Sequence, residues 1–342
     1  MIHTILRVIV THGGPGFARW RQDVKKSQPT TTMKIPVHKT NLHPIPALEM
    51  EEASIIGNVN VADAIDEEVK ENPNDPDWLL LIRILCGDQL TIARQRAIQN
   101  IRAGHECGLQ SWKNIVLMPG LFHAKIADCH GLLETHFGKA HAGTRSPGGL
   151  AFHNTQIGRL PVVLSSLPSF HTCRDLIMVS LYSRILHCLL LISGKSSLQE
   201  YAQSIQSWPT LQWHAKLIYE RYANADRVQE LRELRIPEER RQQRENEAAK
   251  KAAKKAGKKP NDKPLPHIKK GDMVFENTQL ALRDMLVTRE VADAIKCGDS
   301  SPVISVIKVW ALAFRGNGRS KYAYEMLHLL QNLVNVWCDE IR

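Results

Sequence analysis

The stretch LLLIRILCGDQLTIARQ, residues 79–95, decides how the chain is read. The apolar run over 78–86 is bounded by the turn-forming NPNDPD before it and by Gly87 after it, which is the signature of a buried strand. QLTIARQRAIQNIRA then has the spacing of a helix. A strand running into a helix puts Asp88 at the C-terminal rim of a sheet, beside the helix N-terminus. A carboxylate there can cap the helix, where the backbone N–H groups welcome it. It can also be chemistry, because this rim is where α/β proteins place ligands.

Outward from this point the pattern repeats. NIVLMPGLFH, residues 114–123, reads as a second buried strand ending in His123, and AKIADCHGLLETHFG as a helix stopped by Gly138. Two strand-to-helix steps imply a sheet with helices packed on it. Residues 51–149 are therefore taken as the first part of an α/β core, with NVADAIDEEVKE (60–71) a short amphipathic helix that Asn60 can cap. Residues 1–50 are poorly patterned: a strand-like TILRVIV, then Gly-Gly-Pro-Gly, then scattered prolines that break helices. Residues 150–223 are helical in spacing and read as an insertion. Helical pattern returns over 275–296 and 302–314 and closes with an amphipathic helix from Ser320, so 273–342 completes the core. There is no repeat of solenoid period.

Charge is unevenly placed. The net +10 is concentrated in AAKKAAKKAGKKPNDKPLPHIKKGD, which holds nine lysines against two aspartates. This falls in a charged linker, residues 224–272, with high helix propensity and no apolar stripe, so any helix in it is solvated. Lys250, Lys251, Lys254, Lys255, Lys258 and Lys259 form its densest part. Such a run suits a solubilising loop, a nuclear localisation signal or a phosphate-binding arm for DNA. Aromatic residues do not interleave with it, which argues against base stacking.

Seven scattered cysteines without a CxxC pair argue for a reducing compartment, nucleus or cytoplasm, rather than a disulfide framework. The N-terminus lacks a cleavage pattern for a signal peptide. LIMVSLYSRILHCLLLIS (176–193) has the length of a membrane span, but Arg184 and His187 inside it favour a buried core helix.

Familiar catalytic patterns are mostly missing. HGGPG follows an apolar run, yet no G-x-S-x-G elbow accompanies it. Phosphate-loop and dinucleotide fingerprints do not occur. FHAKIADCH gathers His, Asp and Cys without the spacing of a structural zinc site, and ordinary partly buried histidines explain His123 and His130 better. FRGNGRSKYAYEMLHLL brings Arg315 and Arg319 in a glycine turn to a helix whose apolar stripe, Tyr322, Met326, Leu329, Leu330 and Leu333, has Glu325 at its edge.

CGDQLTIARQR, MPGLFHAKIADCHGLLETHFG and AIKCGDSSPVISVIKVWALAFRGNGRSKYAYEMLHLL together resemble a domain family of unknown function abundant in mushroom-forming fungi and found in transposon-like genes. The resemblance spans roughly residues 30–342, with Gly-Asp-Gln-Leu-Thr, Leu-Phe-His and Tyr-Ala-x-Glu as its markers. By order it implies a ribonuclease-H-like core with a large helical insertion. In that scheme Asp88 and Glu325 are the second and last metal-binding carboxylates, and His123 marks the strand-to-helix step. Three carboxylates are what a pair of Mg²⁺ ions requires. Family members also carry an upstream aspartate in an Asp-Asn context. The strand-like run ahead of Asp88 holds no acid, and Asp23, Asp63 and Asp66 lie in loop or helix pattern. The resemblance thus implies a transposase-derived protein whose two-metal site is incomplete, the alternative being a noncatalytic nuclear binding module with a basic arm.

Overall fold

The structure is a computed structural model in which residues 1–70, 77, 80–104, 112–139, 146–256 and 272–338 are described. The chain is predominantly helical, with a two-stranded parallel sheet among the described residues. It divides into two compact units, Met1–Thr31 with Leu132–Asp293 and Thr32–Gly131 with Ala294–Arg342.

The first unit is helical. Its opening run is α1 (Ile2–His12), not the strand that TILRVIV suggested. β-branched residues favour a strand locally, but Ile5 with Ile9 and Leu6 with Val10 stack at helical spacing and are all buried. After α2 (Arg21–Lys26), this unit holds α6 (Leu150–Gln156), α7 (Phe170–Ser193), α8 (Leu198–Ser204), α9 (Trp208–Tyr222) and α10 (Ala225–Lys255), and most of α11 (Met273–Cys297). The remaining helices, α3 to α5, α12 and α13, are given below. α7 is long and apolar enough to cross a membrane, but it packs against α1, α6, α8 and α9. Ser169 caps its start through the Thr172 N–H, and Gly194 ends it in the left-handed region at φ 66°.

Arg184, which argued against a membrane span, is satisfied inside this unit. Its Nε donates to Ser180 Oγ at 3.1 Å and Nη2 donates to the Gly148 carbonyl. The same hydroxyl is hydrogen-bonded to His153 Nδ1 at 2.8 Å. Burial lowers Arg184 to about 10 and raises the Cys188 thiol, one turn on, to about 12.

The second unit carries the sheet. α3 (Ile55–Glu68) starts earlier than the sequence suggested, because Ser54 rather than Asn60 caps it, accepting from the Gly57 N–H at 2.9 Å. β1 (Arg83–Gly87), α4 (Gln89–Arg102) and β2 (Ile115–Pro119) follow. The strands run parallel, in register from Arg83 opposite Ile115 to Gly87 opposite Pro119. Ala62, Ile98, Trp112 and Ile115 form a core that Val59, Leu85 and Leu117 extend. β1 is less buried than its apolar run implied: Ile84 is 57% exposed. Both strands stop short of the predicted lengths. β2 ends at Pro119, and Leu121 already begins α5 (Leu121–His136), so His123 lies in the first turn of a helix rather than at a strand end. A proline followed by a glycine ends the ladder there. α12 (Ser300–Gly316) and α13 (Ser320–Gln331) form a helical hairpin, and α13 packs on α4 and β2.

Candidate functional site around Asp88 and Glu325

The two strand ends meet at the rim where Asp88 sits. The Gly120 N–H donates to the Gly87 carbonyl at 2.6 Å, and a Cβ on Gly120 would come within 3.0 Å of that oxygen. Glycine is needed for so close a backbone approach. A Cβ on Gly87 would meet Thr91 Cγ2 at 2.9 Å. The Gly87-Asp88-Gln89 sequence is therefore a tight exit from β1 straight into α4.

Asp88 caps α4. Its Oδ1 accepts from the Thr91 N–H at 2.7 Å. That hydrogen bond is the main reason its carboxyl lies below the ordinary range; partial burial opposes it, while the Thr91 side chain and nearby His123 add to it. His123 is exposed on the first turn of α5. Asp88 is also felt by Tyr322 in the first turn of α13: burial chiefly raises this phenol, and the Asp88 charge raises it further.

Glu325 follows Tyr322 by one helical turn. The apolar stripe suggested an edge position, but the side chain is turned inward, leaving the residue only 3% exposed. Its partner is Arg96, two turns into α4. Arg96 Nη2 donates to Oε2 at 2.7 Å and Nη1 to Oε1 at 3.2 Å. This planar two-pronged pairing is the geometry a guanidinium and a carboxylate favour. Arg96 is the residue that sequence reasoning missed. Its signal is slight: it stands four residues after buried Ile92, on the inward side of α4.

The glycine turn before α13 is equally specific. Gly318 has φ 83°, and the Arg319 N–H donates to the Phe314 carbonyl at 2.8 Å. Asn317 lies against Gly131 of α5, where a Cβ would fall 2.2 Å from its Nδ2. Arg315 donates to Ser320 Oγ at 3.2 Å. Asp63 and Asp66, two of the acids ahead of β1 in this unit, are on α3 and pair with Arg102 at 3.6 Å and Arg83 at 2.7 Å.

A pair of Mg²⁺ ions needs several carboxylate and water oxygens at about 2.1 Å in octahedral order. Here both Glu325 oxygens face Arg96, and Asp88 is engaged by Thr91. Among the described residues, no three His, Cys, Asp or Glu side chains come together as a metal-holding group. As arranged, the donor set does not fit a two-metal centre.

Lys250, Lys251, Lys254 and Lys255 are exposed on the last turns of α10. Lys258 and Lys259 lie outside the described residues. Nearer its start α10 is anchored by Arg235, whose Nε and Nη2 each donate to Glu276 of α11 at 2.9 Å.

A sequence profile described as a family of unknown function (DUF6589) matches residues 1–342. No curated protein and no solved structure matches the chain.

Proposed function

The chain belongs to this family of unknown function, and we propose that it descends from a DNA transposase with a ribonuclease-H-like core whose two-metal site is degenerate. The parallel β1–α4–β2 step, with Asp88 at the rim, is the fragment of such a core that supports this reading. The observation that carries the degeneracy is the Arg96–Glu325 pair. A carboxylate held by a guanidinium on both oxygens is already neutralised, and turning it to a cation would leave Arg96 without its counter-charge. The protein then acts on nucleic acid by binding rather than by cutting.

A second reading, a noncatalytic nuclear binding module, rests on a different observation. The lysines that end α10 form an exposed cationic patch suited to phosphate groups. The same run suits a nuclear import signal.

One experiment tests both readings: the purified chain is incubated with supercoiled duplex DNA, with and without Mg²⁺ or Mn²⁺. Retarded but uncut DNA is the expected result. Metal-dependent nicking that disappears in Asp88→Asn and Glu325→Gln would overturn the degenerate site. Absence of DNA binding by the folded protein at low salt would overturn both proposals.

A further inference from the structure

The second unit also holds an open, largely apolar cavity of about 230 Å³. Met118 of β2, Leu121 of α5, Ile307 of α12 and Leu329 of α13 line it, together with Leu333 and Trp337 at the chain's closing turn. That turn, Asn332–Val336, is π-helical, and the Trp337 N–H reaches back to the Asn332 carbonyl at 2.8 Å. A π turn is rare and recurs at functional sites. Leu333 lies in this turn and Trp337 directly follows it, and both line the cavity. Ile35 borders it from a strap tied down by an N–H bond to the Gly298 carbonyl at 2.7 Å.

An open cleft lined mostly by apolar side chains with a few polar groups is the usual form of a small-molecule site. From the cavity, its apolar lining and the π turn that shapes it, we infer that the second unit binds a small neutral aromatic or hydrocarbon ligand, about one substituted ring in size. Asp299, a buried residue of the lining that also caps α12 by accepting from the Ser301 N–H at 3.3 Å, sets the charge preference. An anionic ligand would bring like charges together beside Asp299, so carboxylates and phosphates are disfavoured.

The test uses the full chain, with toluene and p-cresol as neutral probes and benzoate as the anionic one of similar shape. Toluene and p-cresol raise the unfolding midpoint and give ligand-observed NMR saturation transfer; benzoate does neither. Val303→Phe and Ile304→Phe, each filling the cavity from α12, lose roughly tenfold or more of toluene affinity. No response to toluene, an equal response to benzoate, or undiminished binding in a folded filled variant would overturn the inference. The comparison of probes on the unaltered chain decides the matter even if neither variant folds.

Discussion

Arg96 and Glu325 stand 229 residues apart in sequence and meet through both arms of the guanidinium, at 2.7 and 3.2 Å. Glu325 is buried, and the Arg96 side chain is 30% exposed. Removing one partner strands the other charge. Arg96→Met and Glu325→Leu are each expected to cost about 2–4 kcal/mol, somewhat under the full value for a wholly buried pair. The double variant should cost clearly less than the sum. Urea unfolding of the four proteins measures the cycle. Additive losses would mean that the pair is not coupled.

Asp88 is expected to behave as a cap whose charge matters for pH. Asp88→Ala should lose about 1 kcal/mol, while Asp88→Ser should retain most of it. The Asp88 carboxyl is lowered in the folded chain, chiefly by the Thr91 hydrogen bond. The unfolded chain therefore takes up the proton first. The stability due to this charge is complete above the ordinary carboxylate range and is lost as pH falls through the folded value. Urea midpoints from pH 6 down to pH 3, an acid range set by the ordinary carboxylate value of about 4, should fall less steeply in Asp88→Ser. Parallel curves would contradict the assignment.

His153 gives a second acid-sensitive step, with its own window. Burial lowers it to about 4, with nearby Arg184 adding to the effect. Its ordinary value is 6.5, so between these two pH values the unfolded state binds more protons and stability rises with pH. The contribution is complete above 6.5. Allowing for partial exposure, lowering the pH from 7 to 5 should remove about 1 kcal/mol through this residue. His153→Gln should flatten that part of the profile, read by chemical denaturation.

The lysines of α10 are expected to bind duplex DNA without sequence preference. If Lys250, Lys251, Lys254, Lys255, Lys258 and Lys259 together neutralise about six phosphates, log K against log salt has a slope of roughly −5. Replacing all six by glutamine should remove most of the binding. Far-ultraviolet dichroism and the unfolding midpoint should hardly change, because the four described lysines are exposed. Binding that persists in this variant would point to another surface, such as that around Arg315 and Arg319.

Local sequence determined the pieces. The Gly87-Asp88-Gln89 exit from a strand, the helix that follows, the stop at Gly138 and the long helix through 176–193 all rest on short-range rules of apolar spacing, capping and glycine freedom. Those rules act within a turn or two, so they could be read without knowing what lies across the core. The cap reading of Asp88 was available for the same reason. Where local preference and packing conflict, tertiary structure decided: burial on all sides turned TILRVIV into α1, and the proline-glycine exit from β2 put His123 on a helix. It alone decided the state of Glu325. Its place one turn beyond Tyr322 was legible, but a guanidinium brought from α4 neutralises it, and a pairing across so many residues leaves no trace in the spacing of either helix.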